Sequence, residues 1–220
     1  MIISHENKFI FIHIPRTGGT TISKSICNSM GINNWKSFIG EPKIISPKKH
    51  KLEPKKFERK EKEGYKHATA KEIKSRVDSK IWESYFKFSF VRNPWDRTVS
   101  MYFKKRKESP NSLKALWPKR KIIFTLMLIT RYKILDSEPH QQVESLETDD
   151  GPIELDFIGK YEKLEDDYKK VCEKLGLDSD IKGTHDKTNR RGYEEYYNRI
   201  TKNIIYEKKK RDCEKFGYSF

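Results

Sequence analysis

The sequence predicts an α/β fold with a mostly parallel sheet, because three short apolar strands are each followed by a helical pattern. The strand patterns cover residues 9–14, 86–91 and 156–161, and each is rich in aromatic or β-branched side chains. The segment after each strand has apolar residues three or four positions apart, as on one face of a helix. Sheets of this kind bind ligands beyond the carboxyl ends of their strands.

The first strand ends at Pro15 and leads into the glycine loop RTGG at residues 16–19. Thr20 or Thr21 is a suitable N-cap for the next helix, and Gly31 is a suitable end. The apolar positions of this helix are Ile22, Ile26 and Met30. The chain is therefore predicted to open with a strand, a glycine loop and a helix.

The second strand has helical spacing on both sides. Asn93 and Pro94 end this strand after Val91. The apolar helical positions are Ile73, Val77 and Ile81 before the strand and Trp95, Val99, Tyr102 and Phe103 after it. Residues 122–129 predict a further, buried helix, whereas residues 136–151 are polar and loop-like.

The third strand lies in the run DFIGKY, and an amphipathic helix follows it. This helix is predicted to end at Gly176, since glycine readily adopts the positive φ of a helix C-cap. Its apolar positions are Tyr161, Leu164, Tyr168, Val171, Cys172 and Leu175. Helical spacing returns in the tail, over residues 193–205.

The composition indicates one folded domain spanning residues 1–220. Aromatic residues make up 12% of the chain, too large a share for a disordered protein. No apolar stretch approaches the ~20 residues of a membrane span, and the N-terminus lacks the pattern of a signal peptide. The three cysteines are widely separated and form no CxxC pair, which predicts reduced thiols in a cytoplasmic protein and no metal site.

The chain carries a formal net charge of +15, so we expect it to attract polyanions such as nucleic acid, acidic polysaccharide or nucleotide phosphates. Residues 40–66 concentrate lysine and proline and are interpreted as a basic surface excursion. Two interpretations of this segment remain open. It is either a solvated loop or charged helix, or a dedicated patch that binds polyanions.

The run IPRTGGTT stands where the first strand passes into its helix. Main-chain N–H groups of such a turn and the helix N-terminus can cradle an anion, which the glycines allow to come close. A Walker A motif would need a lysine after Gly19, where this chain has Thr20. The alternative is that the glycines form an ordinary tight turn that binds no ligand. The candidate anion-binding residues are Arg16, Thr17, Gly18, Gly19, Thr20 and Thr21.

A second candidate group follows the second strand. Arg92 closes that strand, and Ser100 lies one to two turns into the next helix. A guanidinium binds phosphate through bidentate hydrogen bonds, and a serine hydroxyl adds a neutral donor. The alternative for Arg92 is a salt bridge to Asp96.

The chain resembles the carbohydrate sulfotransferase superfamily in four runs: IPRTGGTT, FVRNPWDRTVSMY, DFIGKYEKLEDDYKKV and EKFGYSF. The relatives it resembles are heparan sulfate 6-O- and 2-O-sulfotransferases and their bacterial counterparts. The resemblance implies a P-loop-like three-layer fold, with a central, mostly parallel sheet flanked by helices. It also implies transfer of a sulfuryl group from 3′-phosphoadenosine 5′-phosphosulfate (PAPS) to the hydroxyl of an acceptor such as a carbohydrate.

The same resemblance implies that Arg16 to Thr21 bind the 5′-phosphosulfate and that Arg92 and Ser100 bind the 3′-phosphate. Most relatives have a lysine at the position of Arg16, which stabilises the bridging oxygen as the S–O bond breaks. Arginine keeps the positive charge but cannot release a proton, so the catalytic role of Arg16 is expected to be electrostatic. No metal is required.

Two further sites follow from the resemblance. His67, in KHATAKEIK, is similar to the histidine that supplies the general base in 6-O-sulfotransferase-like enzymes, and its unperturbed pKa suits that task. Lys187 and Thr188 resemble a loop that closes over the nucleotide. The alternatives are a capping or surface histidine and a solvated loop. His13, inside the first strand, is interpreted as a core histidine.

Two other functions remain open on the sequence alone. A basic nucleic-acid-binding protein would explain the charge and the aromatic residues, but no zinc-finger spacing or RNP-type motif is present. A P-loop-like nucleotide kinase would explain the strand-loop-helix opening, but the Walker lysine is missing. Acceptor contacts are expected in the variable loops at residues 40–66 and 104–150.

Overall fold

The computed structural model describes most of the chain and divides it into two compact units. The described residues are 1–32, 44–45, 67–108, 122, 124–126, 128, 141–149, 151–181 and 192–220. The first unit comprises Met1–Val91 and Glu144–His185, and the second comprises Arg92–Val143 and Asp186–Phe220. The basic excursion at 40–66 lies outside the described residues except for Ile44 and Ile45. The interpretation of residues 1–220 as one domain stays a prediction.

The first unit contains a sheet whose described strands have the order β3-β1-β2-β4-β5. These strands are β1 (Ile2–Ser4), β2 (Phe9–Ile12), β3 (Ile44–Ile45), β4 (Phe86–Val91) and β5 (Phe157–Lys160). The pairs β2–β4, β4–β5 and β1–β3 are parallel, whereas β1 pairs antiparallel with β2. The predicted mostly parallel sheet is confirmed. The sequence analysis missed β1 and β3, which are too short for a periodic pattern.

From β2 onwards, every strand of the described sheet is followed by at least one helix. They are α1 (Gly19–Ser29), α2 (Ala70–Lys74), α3 (Ser79–Ser84), α4 (Pro94–Glu108), α5 (Gln142–Leu146), α6 (Leu164–Leu175), α7 (Arg199–Lys208) and α8 (Lys210–Phe216). Tyr161–Lys163 and Tyr193–Tyr196 form 3-10 turns. Among the described residues, no helix combines the length and apolar character needed to cross a membrane.

Three local predictions need correction. The N-cap of α1 is Gly18, and not Thr20 or Thr21, because the chain enters this helix at a φ of 86°. The spacing at residues 73–81 belongs to two short helices, since the Asp78 side chain caps a new helix by accepting from the Lys80 N–H. The polar stretch at 136–151 includes the short helix α5.

The helix predicted at residues 122–129 is buried on only one of its faces. Phe124 and Leu128 are fully buried. Ile122 and Leu126, four residues apart like the buried pair, are 59% and 52% exposed. Of this segment the structure describes residues 122, 124–126 and 128.

Each unit has its own apolar core. In the first, the strand side chains on one sheet face pack against α1 and α6, because alternate residues of a strand point the same way. Buried members of this core include Phe9, Phe11, Ile22, Ile26, Phe88, Phe90, Leu164, Tyr168, Val171 and Cys172. In the second, the apolar face of α4 packs against the C-terminal segment. Its buried members include Trp95, Val99, Tyr102, Phe103, Phe124, Tyr196, Tyr197 and Ile205.

Candidate active site

The loop after β2 contains two residues in the left-handed region of backbone conformation. Arg16 has a φ of 68° and Gly18 a φ of 86°, both in the left-handed region. A non-glycine residue held in this region costs about 1–3 kcal/mol, and such strain concentrates at functional sites. Turns with left-handed residues between strand and helix form concave groups of N–H donors that bind anions. The conformation therefore fits the anion-binding interpretation of the motif.

Both glycines of the loop lie close against neighbouring side chains. A Cβ atom on Gly18 would lie 3.1 Å from the side chains of Leu164 and Tyr161. A Cβ atom on Gly19 would overlap the imidazole ring of His13. The loop is thus pressed against the start of α6 on one side and against His13 on the other.

The threonines of the loop have different surroundings. The Thr17 hydroxyl is buried and donates to the Ile14 carbonyl at 2.9 Å, so its proton closes the turn. Thr20 is exposed and Thr21 is buried, both in the first turn of α1. That turn carries no acidic side chain, and the first N–H groups of any helix lack intrahelical acceptors. It is therefore suited electrostatically to an anion.

His67 lies just before α2, as predicted, and contacts His13, the first residue after β2. Its Nδ1 lies 3.0 Å from the main-chain oxygen of His13. A carbonyl oxygen can only accept, so Nδ1 carries the proton and Nε2 is the basic nitrogen of the ring. This is the tautomer that a general base acting through Nε2 requires.

The helix after His67 is anchored at both ends. The Thr69 hydroxyl accepts from the Glu72 N–H, and the Glu72 carboxylate accepts from the Thr69 N–H, which forms a capping box. At the other end, Lys74 donates to Glu154 at 2.9 Å. Glu154 also accepts from the Trp82 indole at 2.6 Å. Hydrogen bonds from Trp82 and Lys74 lower the pKa of Glu154.

In the second unit, Arg92 makes the salt bridge that the sequence analysis gave as an alternative. Its Nη2 lies 2.7 Å and its Nε 2.8 Å from Oδ2 of Asp96, and the arginine side chain is only 6% exposed. The pair uses two of the guanidinium's N–H donors. Asp96 therefore orients Arg92, and a role in binding phosphate stays a prediction.

The main chain of Arg92 is held by residues that the sequence analysis did not single out. Gln142 is fully buried, accepts from the Arg92 N–H at 2.8 Å and donates to the Arg92 carbonyl at 2.8 Å. Its amide also donates to Asp212 at 3.3 Å, and Asp212 accepts from the Val143 N–H at 2.9 Å. Burial raises the pKa of Asp212. Glutamine is usually exposed, so no sequence pattern marks Gln142 as a buried hydrogen-bonding residue.

Ser100 is buried in α4, the helix predicted to carry it. The start of this helix is capped by Asn93, whose side-chain oxygen accepts from the Trp95 N–H at 3.0 Å. Its amide nitrogen donates to the Ser219 carbonyl, also at 3.0 Å. Lys187 and Thr188 lie outside the described residues.

The cysteines are not placed for nucleophilic chemistry. Cys27, Cys172 and Cys213 are all buried thiols. Burial raises the pKa of Cys172 and raises that of Cys213 to about 11, which disfavours the reactive thiolate. Within the described ranges, no group of three or more His, Cys, Asp or Glu side chains is arranged to hold a metal ion.

Comparison with known proteins identifies the family. The model of the sulfotransferase family matches residues 1–219. The chain belongs to the sulfotransferase family. This sulfotransferase is similar to an uncharacterized protein of Archaeoglobus fulgidus, with 31% identity over 111 residues, which are 50% of this chain and 82% of that protein. No solved structure matches the chain.

Family membership confirms that the motifs belong to a sulfotransferase and indicates transfer of a sulfuryl group, whereas the resemblance to carbohydrate sulfotransferases in particular stays a prediction. It favours this activity over the nucleotide-kinase and nucleic-acid-binding alternatives. Within the first unit, the structure brings together the glycine loop, His13 and His67, because His13 contacts both Gly19 and His67. In the second unit it brings Arg92 together with Asp96 and Gln142.

Proposed function

We propose that the sulfotransferase moves a sulfuryl group from PAPS to a hydroxyl group of a carbohydrate acceptor. The observation that carries the proposal is the pairing, in one unit, of an anion-suited glycine loop with a histidine whose Nε2 is basic. Sulfuryl transfer needs those two components: fixed positive potential at the donor and a base at the acceptor oxygen. We also propose a P-loop-like three-layer arrangement of helices about the sheet, in a cytoplasmic protein.

The loop at residues 16–21 is proposed to bind the 5′-phosphosulfate. Main-chain N–H groups would supply donors through Thr17, Gly18, Gly19, Thr20 and Thr21, and the Thr20 hydroxyl is exposed for a further hydrogen bond. The positive φ of Arg16 and Gly18 supports this role, because that backbone turns successive N–H groups towards one side. The loop therefore fits the anionic end of the donor.

The 3′-phosphate is proposed to be bound by Arg92 and Ser100. Lys187 and Thr188 are proposed to bind the nucleotide, as the family resemblance implies. The salt bridge with Asp96 supports this role for Arg92, since it holds the buried guanidinium in one orientation before a ligand arrives. A guanidinium that is already ordered loses less side-chain entropy on binding phosphate.

In the proposed reaction, Nε2 of His67 takes the proton of the acceptor hydroxyl while that oxygen forms a bond to sulfur. The bond between sulfur and the 5′-phosphate oxygen breaks in line with the attack, and 3′,5′-adenosine bisphosphate leaves. Arg16 stabilises the charge that develops on the departing oxygen. A phosphate leaving group needs no protonation, so an arginine suffices at this position.

A carbohydrate acceptor is supported by the charge of the chain. The formal net charge of +15 suits an anionic glycan better than a neutral small molecule. The acceptor contacts are proposed to come from residues 40–66 and 104–150, which are the segments that match the resembling relatives least.

The test is calorimetric titration, without added metal, of the protein with 3′,5′-adenosine bisphosphate and, in parallel, with 5′-AMP. We expect the bisphosphate to bind roughly 10- to 100-fold more tightly, because charge-assisted hydrogen bonds to the 3′-phosphate contribute about 1.5–3 kcal/mol. Equal, weak binding of the two nucleotides would contradict the donor assignment. ATP with Mg²⁺ serves as the control for a kinase-like site.

A further inference from the structure

His13 occupies the space between the glycine loop and the candidate base. Its side chain is 4% exposed and lies one residue beyond β2. Its ring centroid is 4.6 Å from that of His67, with the two planes at 68°. On another side its ring lies against Gly19, at the place where any Cβ would overlap it. The Phe11 ring stacks nearly parallel to it, with centroids 5.9 Å apart.

Two separate parts of His13 act on His67. The main-chain oxygen accepts from Nδ1 of His67 and so selects the tautomer with a basic Nε2. The imidazole ring meets the His67 ring nearly edge to face. The first contact places the proton on Nδ1 of His67, and the second packs a buried ring against the His67 ring.

We infer that His13 is a positioning residue, whose ring holds His67 in the orientation in which Nε2 can take the acceptor proton. The inference rests on the proposed function, because it assumes that His67 is the base. It also gives Gly19 a second role, since only a glycine at that position leaves room for the His13 ring. The loop that binds the anion and the histidine that takes the proton are thereby joined through one buried side chain.

Orientation of this kind has a measurable kinetic effect. A shift of about 1 Å in a catalytic group costs on the order of 100-fold in rate. We therefore expect His13→Ala to lower kcat by about 10- to 100-fold at saturating donor and acceptor, while the affinity for 3′,5′-adenosine bisphosphate changes less than about twofold. His13→Phe keeps an aromatic ring at the site and is expected to restore most of the lost kcat.

A spectroscopic measurement tests the same inference without any turnover. In the ¹⁵N spectrum of the imidazole groups, neutral His67 is expected as the Nδ1–H tautomer in the wild-type protein. In His13→Ala the ring is expected to rotate and to populate both tautomers. In His13→Phe the wild-type tautomer should persist. His5→Ala is the matched control, because His5 contacts Tyr85 rather than the loop.

Gly19→Ala probes the contact from the other side. The added methyl group displaces the His13 ring, so this variant should also disturb the His67 tautomer. In the His13→Ala background the same change meets an open space, and its effect on the unfolding free energy should largely disappear. Equal effects of Gly19→Ala in the two backgrounds would show that the ring does not fill this space.

The outcomes separate the inference from the proposed function. Wild-type kcat and wild-type His67 tautomer in His13→Ala would overturn the positioning role. Equal loss of kcat in His13→Ala and His13→Phe, with the tautomer unchanged, would overturn it as well. If the wild-type protein transfers no sulfuryl group to any glycan tested, the proposed function fails, whereas the tautomer shift still decides whether His13 positions His67.

Discussion

The two candidate anion-binding regions differ in the groups that form them: main-chain groups in one and side chains in the other. The loop after β2 relies on main chain: two left-handed residues, a glycine N-cap and the first turn of α1. The segment after β4 relies on buried side chains, in which Arg92 is paired with Asp96 and its main chain is held by Gln142. Neutral N–H dipoles need only a fixed backbone, whereas a buried guanidinium needs a charged partner to offset its desolvation.

This difference predicts where each region is vulnerable. The main-chain region should lose its affinity for the anion when a glycine gains a side chain, whereas loss of His67 beside it should remove turnover and leave that affinity in place. The side-chain region should fail when a hydrogen-bonding partner is lost, even one far away in the sequence. The following variants test this difference between the two regions, in order of decreasing expected effect.

Replacement of His67 should have the largest effect. We expect His67→Ala to lower kcat by about two to four orders of magnitude, as loss of a general base does, with the affinity for the donor product 3′,5′-adenosine bisphosphate nearly unchanged. Steady-state kinetics and calorimetry measure the two quantities. His5→Ala, at a histidine outside the site, should retain wild-type turnover. Unchanged turnover in His67→Ala would remove this residue from the mechanism.

The second unit should respond most strongly to loss of Gln142. Gln142→Ala removes the buried hydrogen bonds that Gln142 makes with the Arg92 N–H, the Arg92 carbonyl and the Asp212 carboxylate. A hydrogen bond contributes about 0.5–1.5 kcal/mol, and more when one partner is charged, so we expect a loss of about 2–4 kcal/mol in the free energy of unfolding. Denaturant titration measures it.

Gln141 offers a matched control for this variant. It is the adjacent glutamine, it is only half-buried, and its side-chain oxygen accepts from the Arg211 N–H at 3.0 Å. Gln141→Ala should therefore cost less than about 1 kcal/mol, because water can replace its hydrogen bond. A similar loss in both variants would mean that the buried hydrogen bonds to Arg92 contribute nothing special to the second unit.

The contrast also explains which features could be predicted from the sequence. β4, α4, β5 and α6 follow from apolar periodicity, and the loop follows from two adjacent glycines between a strand and a helix. The group around Arg92 could not be predicted, since Gln142 is 50 residues away from Arg92 and 70 from Asp212. Polar contacts across such separations leave no local pattern. The role of His13 was missed because burial alone gave it a sufficient explanation.

The N-cap of α1 shows the same limit on a smaller scale. Thr20 and Thr21 are good capping residues by type, so the sequence predicts either of them as the N-cap. The helix instead begins at Gly19, after Gly18 at a φ of 86° that favours glycine. The side chains beside Gly18 are those of Tyr161 and Leu164, which are far along the chain and add no local sequence pattern.

Replacement of Arg92 tests the affinity of the side-chain region for phosphate. Arg92→Ala should weaken binding of 3′,5′-adenosine bisphosphate by roughly 10- to 100-fold and leave 5′-AMP binding nearly unchanged. Arg92→Lys keeps the charge but loses the planar pair of donors, so an intermediate loss is expected. Calorimetry measures all four affinities. An equal loss for the two nucleotides would show that Arg92 serves only the salt bridge with Asp96.

The smallest expected effects come from two carboxylates, one in each unit, whose pKa values shift in opposite directions. Hydrogen bonds from Trp82 and Lys74 lower the pKa of Glu154, whereas burial raises that of Asp212. A lowered pKa adds stability that is present above the ordinary value of about 4.3 and is lost as the pH falls through the folded-state value. A raised pKa does the reverse: stability decreases as the pH rises from about 3.9 through the folded-state value.

The stability advantage of the wild type over Glu154→Gln should therefore shrink as the pH falls from about 6 to about 3, because protonation removes the charge that Lys74 and Trp82 stabilise. At neutral pH we expect this advantage to be less than about 1 kcal/mol, since Glu154 is partly exposed to solvent. Over the same range the difference between wild type and Asp212→Asn should move the opposite way, in favour of the wild type at low pH. Denaturant titrations at a series of pH values measure both slopes, with Glu83→Gln, at an exposed position on α3, as the control. If the slope for Glu154 has the sign expected for Asp212, burial alone determines the pKa of both carboxylates. The hydrogen bonds from Trp82 and Lys74 then do not set the charge state of Glu154.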